Sequence, residues 1–409
     1  MRNTATRCSL LGVAVIVGAA VSADAARGAE PGPAPDANVV LRGSLDNCRI
    51  QFERTRQGRV AFMGGSITEM NGYRPMVCEI LKRRFPQTEF TLIDAGIAST
   101  CSTTGAFRLQ SDVLENPALK GKPVDLFFVE FAVNDDQDAS HARRECIRGM
   151  EGIVRHCRQA HPTMDVVIVY FVNPGMLETI QAGKTPLPVA AHEEVARHYG
   201  VPSIYLAREV AERIATGTLT WKEFGGTHPA PAGNAICAGM IDRLFARAWS
   251  EPLGADATEK PHPIPEPLDP QSYFRGRFVD PKAADAGDGW TLGVPDWQQL
   301  KGGKRSRFTS IPLLCGETPG AELALKFTGT AVGAYVLAGP DAGVVQAAVD
   351  GGPARRVDLY HRFSANLHYP RTVMFATDLE PGQHTLKLRI DEKSSSSGHA
   401  VRIVRFGVN

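Results

Sequence analysis

A serine, a glycine, an asparagine and a histidine each follow a separate apolar run of the sequence, in an order that suits acyl transfer. Ser66 follows "RVAFMGG", Gly96 ends "FTLIDAG", Asn134 follows "VDLFFVEFAV", and His228 lies in "FGGTHPAPAG". A serine hydroxyl is a weak nucleophile at neutral pH and needs a base, which histidine can supply. We therefore interpret Ser66 as a candidate nucleophile and His228 as its candidate general base.

Acyl transfer also creates an oxyanion, which hydrogen-bond donors must stabilise. The backbone N–H groups of Ser66 and Gly96 and the side-chain amide of Asn134 are candidates for this oxyanion hole. A glycine-flanked serine alone is also a common turn residue, so it is the set of residues that indicates function. Glu130 interrupts the apolar run before Asn134. A carboxylate at that position either supports the site or forms a buried ion pair.

The apolar runs between residues 40 and 250 alternate with helical patterns. Such nearly all-apolar runs are typical of parallel strands covered on both faces. This pattern predicts an α/β domain with a five-stranded parallel sheet. Ligands of such a sheet bind at the carboxyl ends of its strands, where the candidate residues lie.

Two proline-rich stretches divide the chain. Residues 251–270 carry six prolines, which block helix interiors and central strands, and we interpret this stretch as a linker. Residues 271–409 contain alternating strand-like runs separated by turn residues. They predict an all-β sandwich of jelly-roll type that could bind carbohydrate. Four aromatic residues of this part could stack on sugar rings: Trp290, Trp297, Tyr360 and Tyr369.

The amino terminus indicates export. Arg2 and Arg7 precede the apolar run "LLGVAVIVGAAV", and small residues follow. This is the pattern of a secretory signal, so we predict a signal peptide and tether over residues 1–29. The mature chain is expected to be periplasmic or extracellular, with no transmembrane span.

Composition restricts the partners. The formal net charge is +1, which provides no overall field to attract nucleic acid. Several histidines, namely His141, His156, His161 and His262, lack metal-ligand spacing. We expect no nucleic-acid partner, no cofactor and no metal, and a substrate that is an acylated small molecule or polysaccharide.

The four segments "GGSIT", "DAGIAS", "VNDD" and "THP", in this order, resemble the SGNH (GDSL-like) hydrolases. The resemblance covers approximately residues 59–249. It implies a flavodoxin-like, three-layer α/β/α domain that hydrolyses carboxylic esters. It also implies that Ser66 is the nucleophile, that His228 is the general base, and that Ser66, Gly96 and Asn134 form the oxyanion hole.

One position departs from the pattern of that family. The aspartate that stands three residues before the histidine is replaced by Gly225, so the usual carboxylate that orients the imidazole is absent. Glu223 is the nearest substitute in sequence. A backbone carbonyl or another loop carboxylate could also hold the imidazole.

These observations predict an exported serine esterase that removes acyl groups, in the first instance acetyl groups, from carbohydrate. The preference for carbohydrate rests on analogy with enzymes that carry an appended β-sandwich. Two alternatives remain at this point. One is a general short-acyl esterase or lipase. The other is a non-catalytic carbohydrate-binding envelope protein that retains the fold, which Gly225 would favour.

Overall fold

The computed structural model describes residues 37–409. The predicted signal peptide and tether, residues 1–29, lie outside the described residues. Within residues 37–409, no helix is both long and apolar enough to cross a bilayer.

The first part of the chain is an α/β domain. Its strands are β1 (Val39–Val40), β2 (Gln57–Gly64), β3 (Glu89–Gly96), β4 (Leu126–Val129), β5 (Asp165–Val169) and β6 (Ser203–Ile204). Its helices are α1 (Asp46–Ile50), α2 (Ser66–Glu69), α3 (Tyr73–Arg84), α4 (Ser102–Leu109), α5 (Arg143–Ala160), α6 (Pro174–Gln181), α7 (Leu187–His198), α8 (Leu206–Ala215), α9 (Trp221–Phe224) and α10 (Pro231–Ala248).

The sheet has the strand order β1-β6-β5-β4-β2-β3. The five predicted strands are parallel to one another, and every residue of β4 and β5 is buried, as expected for strands covered on both faces. The short strand β1 adds a sixth, antiparallel member at the edge of β6, so the sheet is mixed. A strand of two residues is too short to show a hydrophobic pattern, so β1 could not be predicted from the sequence.

The second part contains two antiparallel sheets that enclose a shared core. Its strands are β7 (Arg277–Val279), β8 (Asp285–Ala286), β9 (Trp290–Gly293), β10 (Leu313–Gly316), β11 (Glu322–Gly329), β12 (Val332–Ala338), β13 (Val344–Val349), β14 (Arg355–Asp358), β15 (Tyr369–Ala376), β16 (Gly382–Ile390) and β17 (Val401–Val408), with one short helix, α11 (Ser306–Thr309). One sheet has the order β15-β12-β17-β10-β9, with β7 also paired to β17, and the other has the order β14-β13-β16-β11-β8.

The two parts pack directly against each other. Arg148 of α5 is buried and pairs with Asp269 at 2.9 Å and with Asp378 of the second part. Phe107 of α4 packs against Tyr273, with ring centroids 5.2 Å apart. A buried cation between two carboxylates favours one docking arrangement, because separating the partners would leave charges uncompensated.

The predicted linker, residues 251–270, contains no helix or strand and runs along the first domain. The Lys260 N–H donates to Asn47 Oδ1 at 2.8 Å, and His262 Nε2 lies 2.8 Å from Asp165 Oδ1. This segment is therefore anchored to the α/β domain by side-chain contacts.

Candidate active site

The candidate residues lie at one edge of the first sheet. Parallel pairing places Gly64 of β2 opposite Gly96 of β3, and Met63 opposite Val129 of β4. Ser66, which follows β2 and begins α2, is thereby brought to the same edge as the residues that follow β4. This is the carboxyl edge at which sheets of this kind bind ligands.

Ser66 and His228 are in hydrogen-bond contact. The Ser66 Oγ lies 2.7 Å from the His228 Nε2, although the two residues are 162 positions apart in the chain. The histidine side chain is exposed and lies in the loop between α9 and α10. The distance is within the range in which a histidine can accept a proton from a serine hydroxyl.

Asn134 packs closely against the turn that carries Ser66. A Cβ atom at Gly65 would lie 2.2 Å from the Asn134 Oδ1, so a side chain at this position would displace the Asn134 amide. One hydrogen of the Asn134 amide is donated to Asp138 Oδ2 at 2.8 Å. A primary amide has two N–H donors, so one remains for a substrate.

Gly96, predicted as an oxyanion donor, has an acceptor for its N–H and a packing role in this structure. Its N–H donates to the Asp94 Oδ1 at 2.9 Å, so this donor is already engaged. A Cβ atom at Gly96 would lie 2.3 Å from the Glu69 backbone nitrogen. The missing side chain is therefore required for α2 to approach β3, because any Cβ would collide with the backbone of α2.

Glu130 stabilises the turn that carries Ser66 through hydrogen bonds. It is buried, and its Oε1 accepts hydrogen bonds from the Gly65 N–H at 3.0 Å and from the Thr68 hydroxyl at 2.7 Å. Within residues 37–409 no ion pair involving Glu130 is present, so it supports the site and is not half of a buried ion pair. Burial raises the pKa of Glu130 to about 8, against the opposing effect of these hydrogen bonds.

Arg108 of α4 connects two strand ends and was not predicted from the sequence. Its buried guanidinium donates to the Gly64 carbonyl at 3.0 Å and to the Ala95 carbonyl at 2.6 Å. Gly64 is the last residue of β2, and Ala95 is the last but one of β3. An arginine within a helix shows no sequence signal for such a role, because its acceptors are backbone atoms of distant segments.

In the described residues, Glu223 forms no hydrogen bond with the His228 imidazole. Its Oε2 accepts from the Thr220 N–H and from the Thr220 hydroxyl, both at 2.8 Å, and forms a capping box at the start of α9. In the part of the chain that the structure describes, Ser66 is the one hydrogen-bond partner of the His228 ring. The prediction that Glu223 orients His228 is therefore not supported by the geometry.

The backbone explains why Gly225 stands where an aspartate is usual. Gly225 ends α9 with φ +101°, a conformation that side chains disfavour. A Cβ atom there would also lie 2.0 Å from the Ala230 nitrogen. An aspartate at this position would require the whole loop to change shape, so the site is a serine–histidine pair in this structure.

The second domain forms one wall of the cleft in which Ser66 and His228 lie. This Ser66 cleft has a volume of about 420 Å³ and is lined from the second domain by Arg305, Arg362, Phe363, Asn366 and Tyr369. The Tyr369 hydroxyl donates to Asp138 Oδ1 at 2.5 Å, and Asp138 in turn accepts from the Asn134 amide. The amide that we predict to bind the oxyanion is thus held in place through a contact with the other domain.

The four aromatic residues predicted to stack on sugars lie in different environments in the structure. Trp290 is buried in the core of the second domain, and Tyr360 packs against that core. Trp297 packs on a smaller cluster and meets the ring of His368 edge-on. Of the four, only Tyr369 lines the Ser66 cleft.

Asp135 is surrounded by potential metal ligands. Two groups have their ligand atoms within 4.8 Å of one another: Cys101, Asp135 and His141, and Asp135, Cys146 and His192. The Asp135 carboxylate accepts from the Ser102 N–H at 2.8 Å and from the Ser102 hydroxyl at 2.6 Å, and it lies 2.9 Å from His192 Nε2. Although burial opposes it, the neighbouring histidines lower the pKa of Asp135. We interpret Asp135 as the residue that fixes the start of α4 beside Asn134.

Comparison with known proteins supports the α/β fold described above. Residues 62–236 match the model of the GDSL-like Lipase/Acylhydrolase family. A two-domain esterase (CEX) active on acetylated mannans has a similar structure, with a TM-score of 0.71 and 22% identity over 91% of this chain and 96% of that one when crystallised with mannopentaose. A second crystal structure of that esterase gives the same TM-score and identity, over 91% of this chain and 97% of that one. No curated protein sequence is significantly similar to this chain.

The fold and the family match together define the class of the protein, a carboxylic ester hydrolase of SGNH type with a second, antiparallel β domain. The family match covers residues 62–236 of the α/β domain and does not extend into the second domain. The similarity to the two-domain esterase, at 22% identity, establishes the shared fold and no more.

The buried carboxyl of Glu130 predicts a dependence of stability on pH. Since its pKa is about 8 in the folded protein and 4.5 in its ordinary state, the folded protein retains a proton that the unfolded chain releases between these values. The free energy of unfolding should therefore fall as pH rises through this window. Glu130→Gln keeps the acceptor and cannot ionise, so its urea midpoint should exceed that of the wild type increasingly from pH 5 to pH 8. A constant difference between the two proteins would contradict this.

The capping role of Glu223 predicts that its charge is dispensable for catalysis. Glutamine also closes a capping box, so Glu223→Gln should change kcat/KM on an aryl acetate by less than about twofold. Asp242→Asn, an exposed carboxylate elsewhere on the domain, is the matched control. Losing the group that orients the histidine costs a serine protease about 10⁴-fold. A loss approaching that size in Glu223→Gln alone would show that Glu223 orients His228 during turnover.

Proposed function

We propose that the protein is an exported carbohydrate acetylesterase that works through a covalent acyl-enzyme on Ser66. The observation that carries this proposal is the 2.7 Å contact between the Ser66 Oγ and the His228 Nε2 in a cleft formed by both domains. The proposed extents are residues 40–250 for the hydrolase domain, 251–270 for the linker and 271–409 for the β-sandwich.

The proposed reaction has two steps. In the first, the Ser66 Oγ attacks the ester carbonyl while the His228 Nε2 takes its proton. The Ser66 N–H and the free amide hydrogen of Asn134 then donate to the oxyanion, and the protonated histidine gives its proton to the departing sugar hydroxyl. In the second step, His228 takes a proton from water as the water attacks the acyl-enzyme, and it returns that proton to the Ser66 Oγ as the acid is released.

Solvent has to take the place of the missing carboxylate. Because His228 is exposed, water can accept the hydrogen bond from Nδ1 while Nε2 faces Ser66. A water molecule orients an imidazole less firmly than a fixed carboxylate does, so we expect slower turnover than a full triad would give.

Carbohydrate is the substrate class that the cleft and the comparisons favour. The side chains that line it include Arg305, Arg362, Asn366 and Asp138, which can hydrogen bond to sugar hydroxyls. The similar two-domain esterase is active on acetylated mannans. Phe363 is the one large, exposed apolar side chain on the cleft wall within residues 37–409, which argues against the lipase alternative.

Export follows from the amino-terminal pattern and suits a polymer substrate. The predicted signal over residues 1–29 would place the mature protein in the periplasm or outside the cell, where polysaccharides are met. The alternative of a non-catalytic binding protein is disfavoured by the serine–histidine contact, which a binding function alone would not maintain.

Aryl acetate hydrolysis tests the proposed pair directly. Ser66→Ala and His228→Ala should each lower kcat by about 10³-fold or more, because the two residues act as one unit. The exposed Ser111 and His198 offer matched controls, and Ser111→Ala and His198→Ala should retain wild-type rates. If the wild type is as inactive as both site variants, the esterase proposal fails. If Ser66→Ala retains activity, another nucleophile is responsible.

A further inference from the structure

Four arginines of the second domain line two adjoining clefts. Arg305 and Arg362 line the Ser66 cleft. Arg355 and Arg371 line a neighbouring cleft of about 250 Å³, here called the Arg371 cleft. The two clefts share Ser99, Asp138 and Tyr369 as lining residues, so they adjoin each other, and together they are here called the groove.

None of these four arginines has a carboxylate within 4.0 Å in residues 37–409. Their guanidinium groups donate instead to oxygen atoms that carry no charge: Arg305 to the Ala98 carbonyl and the Ser99 hydroxyl, Arg355 to the Met374 carbonyl, Arg362 to the Gln137 carbonyl and Arg371 to the Tyr360 carbonyl. None of the four therefore forms an ion pair in the described residues, although Arg362 interacts electrostatically with Asp138 and Arg371 with Asp358.

Other arginines of the same domain are paired. Arg307 lies 3.2 Å from Glu69, Arg356 lies 2.8 Å from Asp391, and Arg402 lies 2.7 Å from Asp341. In the described residues, four arginines of this domain outside the groove also lack a carboxylate within 4.0 Å: Arg275, Arg277, Arg389 and Arg405. What distinguishes the groove is that four arginines without an ion pair line it together.

The carboxylates that line the groove are held by neutral donors. Asp138 accepts from Tyr369 and Asn134, and burial raises its pKa. Glu145 accepts from the Tyr273 hydroxyl at 2.8 Å and from the Thr103 hydroxyl at 3.0 Å. Asp358 accepts from the Tyr360 N–H. These contacts engage the carboxylates with other partners, and the guanidinium groups are the cationic donors that the groove offers to a ligand.

Arg371 gives the strongest indication that the groove binds a ligand. Arg371 is half-buried, and burial lowers its pKa because removing a cation from water carries a desolvation cost. A guanidinium offers a planar fork of donors that matches a carboxylate or a sulfate in two parallel hydrogen bonds. An anionic group in the Arg371 cleft would offset that cost.

We propose that the groove binds an acetylated glycan that carries anionic groups, with anionic sugar units held by these arginines on either side of the acetylated unit at Ser66. The anion is a uronate carboxylate or a sulfate ester, which share this recognition chemistry. This inference rests on the proposed function, and it names the substrate class of the same site.

The test compares kcat/KM on three acetylated oligosaccharides of equal length: an oligogalacturonide, a sulfated galacto-oligosaccharide and a neutral xylo-oligosaccharide. The wild type should prefer one or both anionic substrates by about 10-fold or more, and added salt should reduce that preference because it screens exposed charges. Whichever anionic substrate is preferred identifies the anion.

Substitutions of the arginines test whether the preference for anionic substrates arises in the groove. Arg362→Ala and Arg371→Ala should each lower the anionic-to-neutral ratio of kcat/KM by about 5- to 30-fold, and Arg371→Lys should restore part of it. Arg389→Ala, an exposed arginine on the other sheet of the same domain, should leave the ratio at its wild-type value. Thermal melting identifies variants that fail to fold, and the lysine variant covers that case for Arg371.

The outcomes separate this inference from the proposed function. A wild type that hydrolyses aryl acetate but prefers the neutral oligosaccharide overturns the inference alone, as does a ratio that Arg362→Ala and Arg371→Ala leave unchanged. A wild type that hydrolyses neither aryl acetate nor any oligosaccharide overturns the proposed function itself.

Discussion

The hydrogen bond between the Ser66 Oγ and the His228 Nε2 depends on two loops that the chain brings together from 162 residues apart. Nothing within the pair itself fixes its geometry, since the imidazole has no carboxylate behind it in the described residues. The surroundings must therefore position each loop independently. On the serine side, Glu130 binds the turn and Arg108 joins the carbonyls at the ends of β2 and β3. On the histidine side, the left-handed Gly225 and the capping box of α9 define the path of the loop.

The second domain participates in the site through its contacts with the first. The chain of hydrogen bonds from Tyr369 to Asp138 to Asn134 links the wall of the groove to the amide that we propose as an oxyanion donor. Arg305 of the second domain also reaches the first domain, where it donates to the carbonyl of Ala98, two residues after β3. Because buried hydrogen bonds of this kind are costly to leave unmade, the position of one domain constrains the active-site loops of the other.

Much of the fold was accessible from the sequence, because five apolar runs predicted five parallel strands and placed Ser66, Asn134 and His228 at one edge. Local pattern could not predict β1, which has two residues and depends on pairing with β6. The packing role of Gly96 could not be predicted for a related reason: a glycine after a strand is compatible both with an oxyanion donor and with close packing, and its contacts with Glu69 and Asp94 are visible only in the structure. Arg108, Asp138 and Tyr369 act through contacts between distant segments, which a single sequence does not record.

Labelling with an aryl fluorophosphonate, followed by peptide mass spectrometry, tests the central claim most directly. The serine oxygen displaces fluoride from phosphorus and is phosphonylated, so the modified peptide identifies the nucleophile and the labelling rate reports its activation by a neighbouring base. The account predicts one adduct, located on the peptide that contains Ser66, formed much more slowly in His228→Ala. An unlabelled Ser66 peptide, or an adduct on another serine at the same rate in His228→Ala, would contradict it.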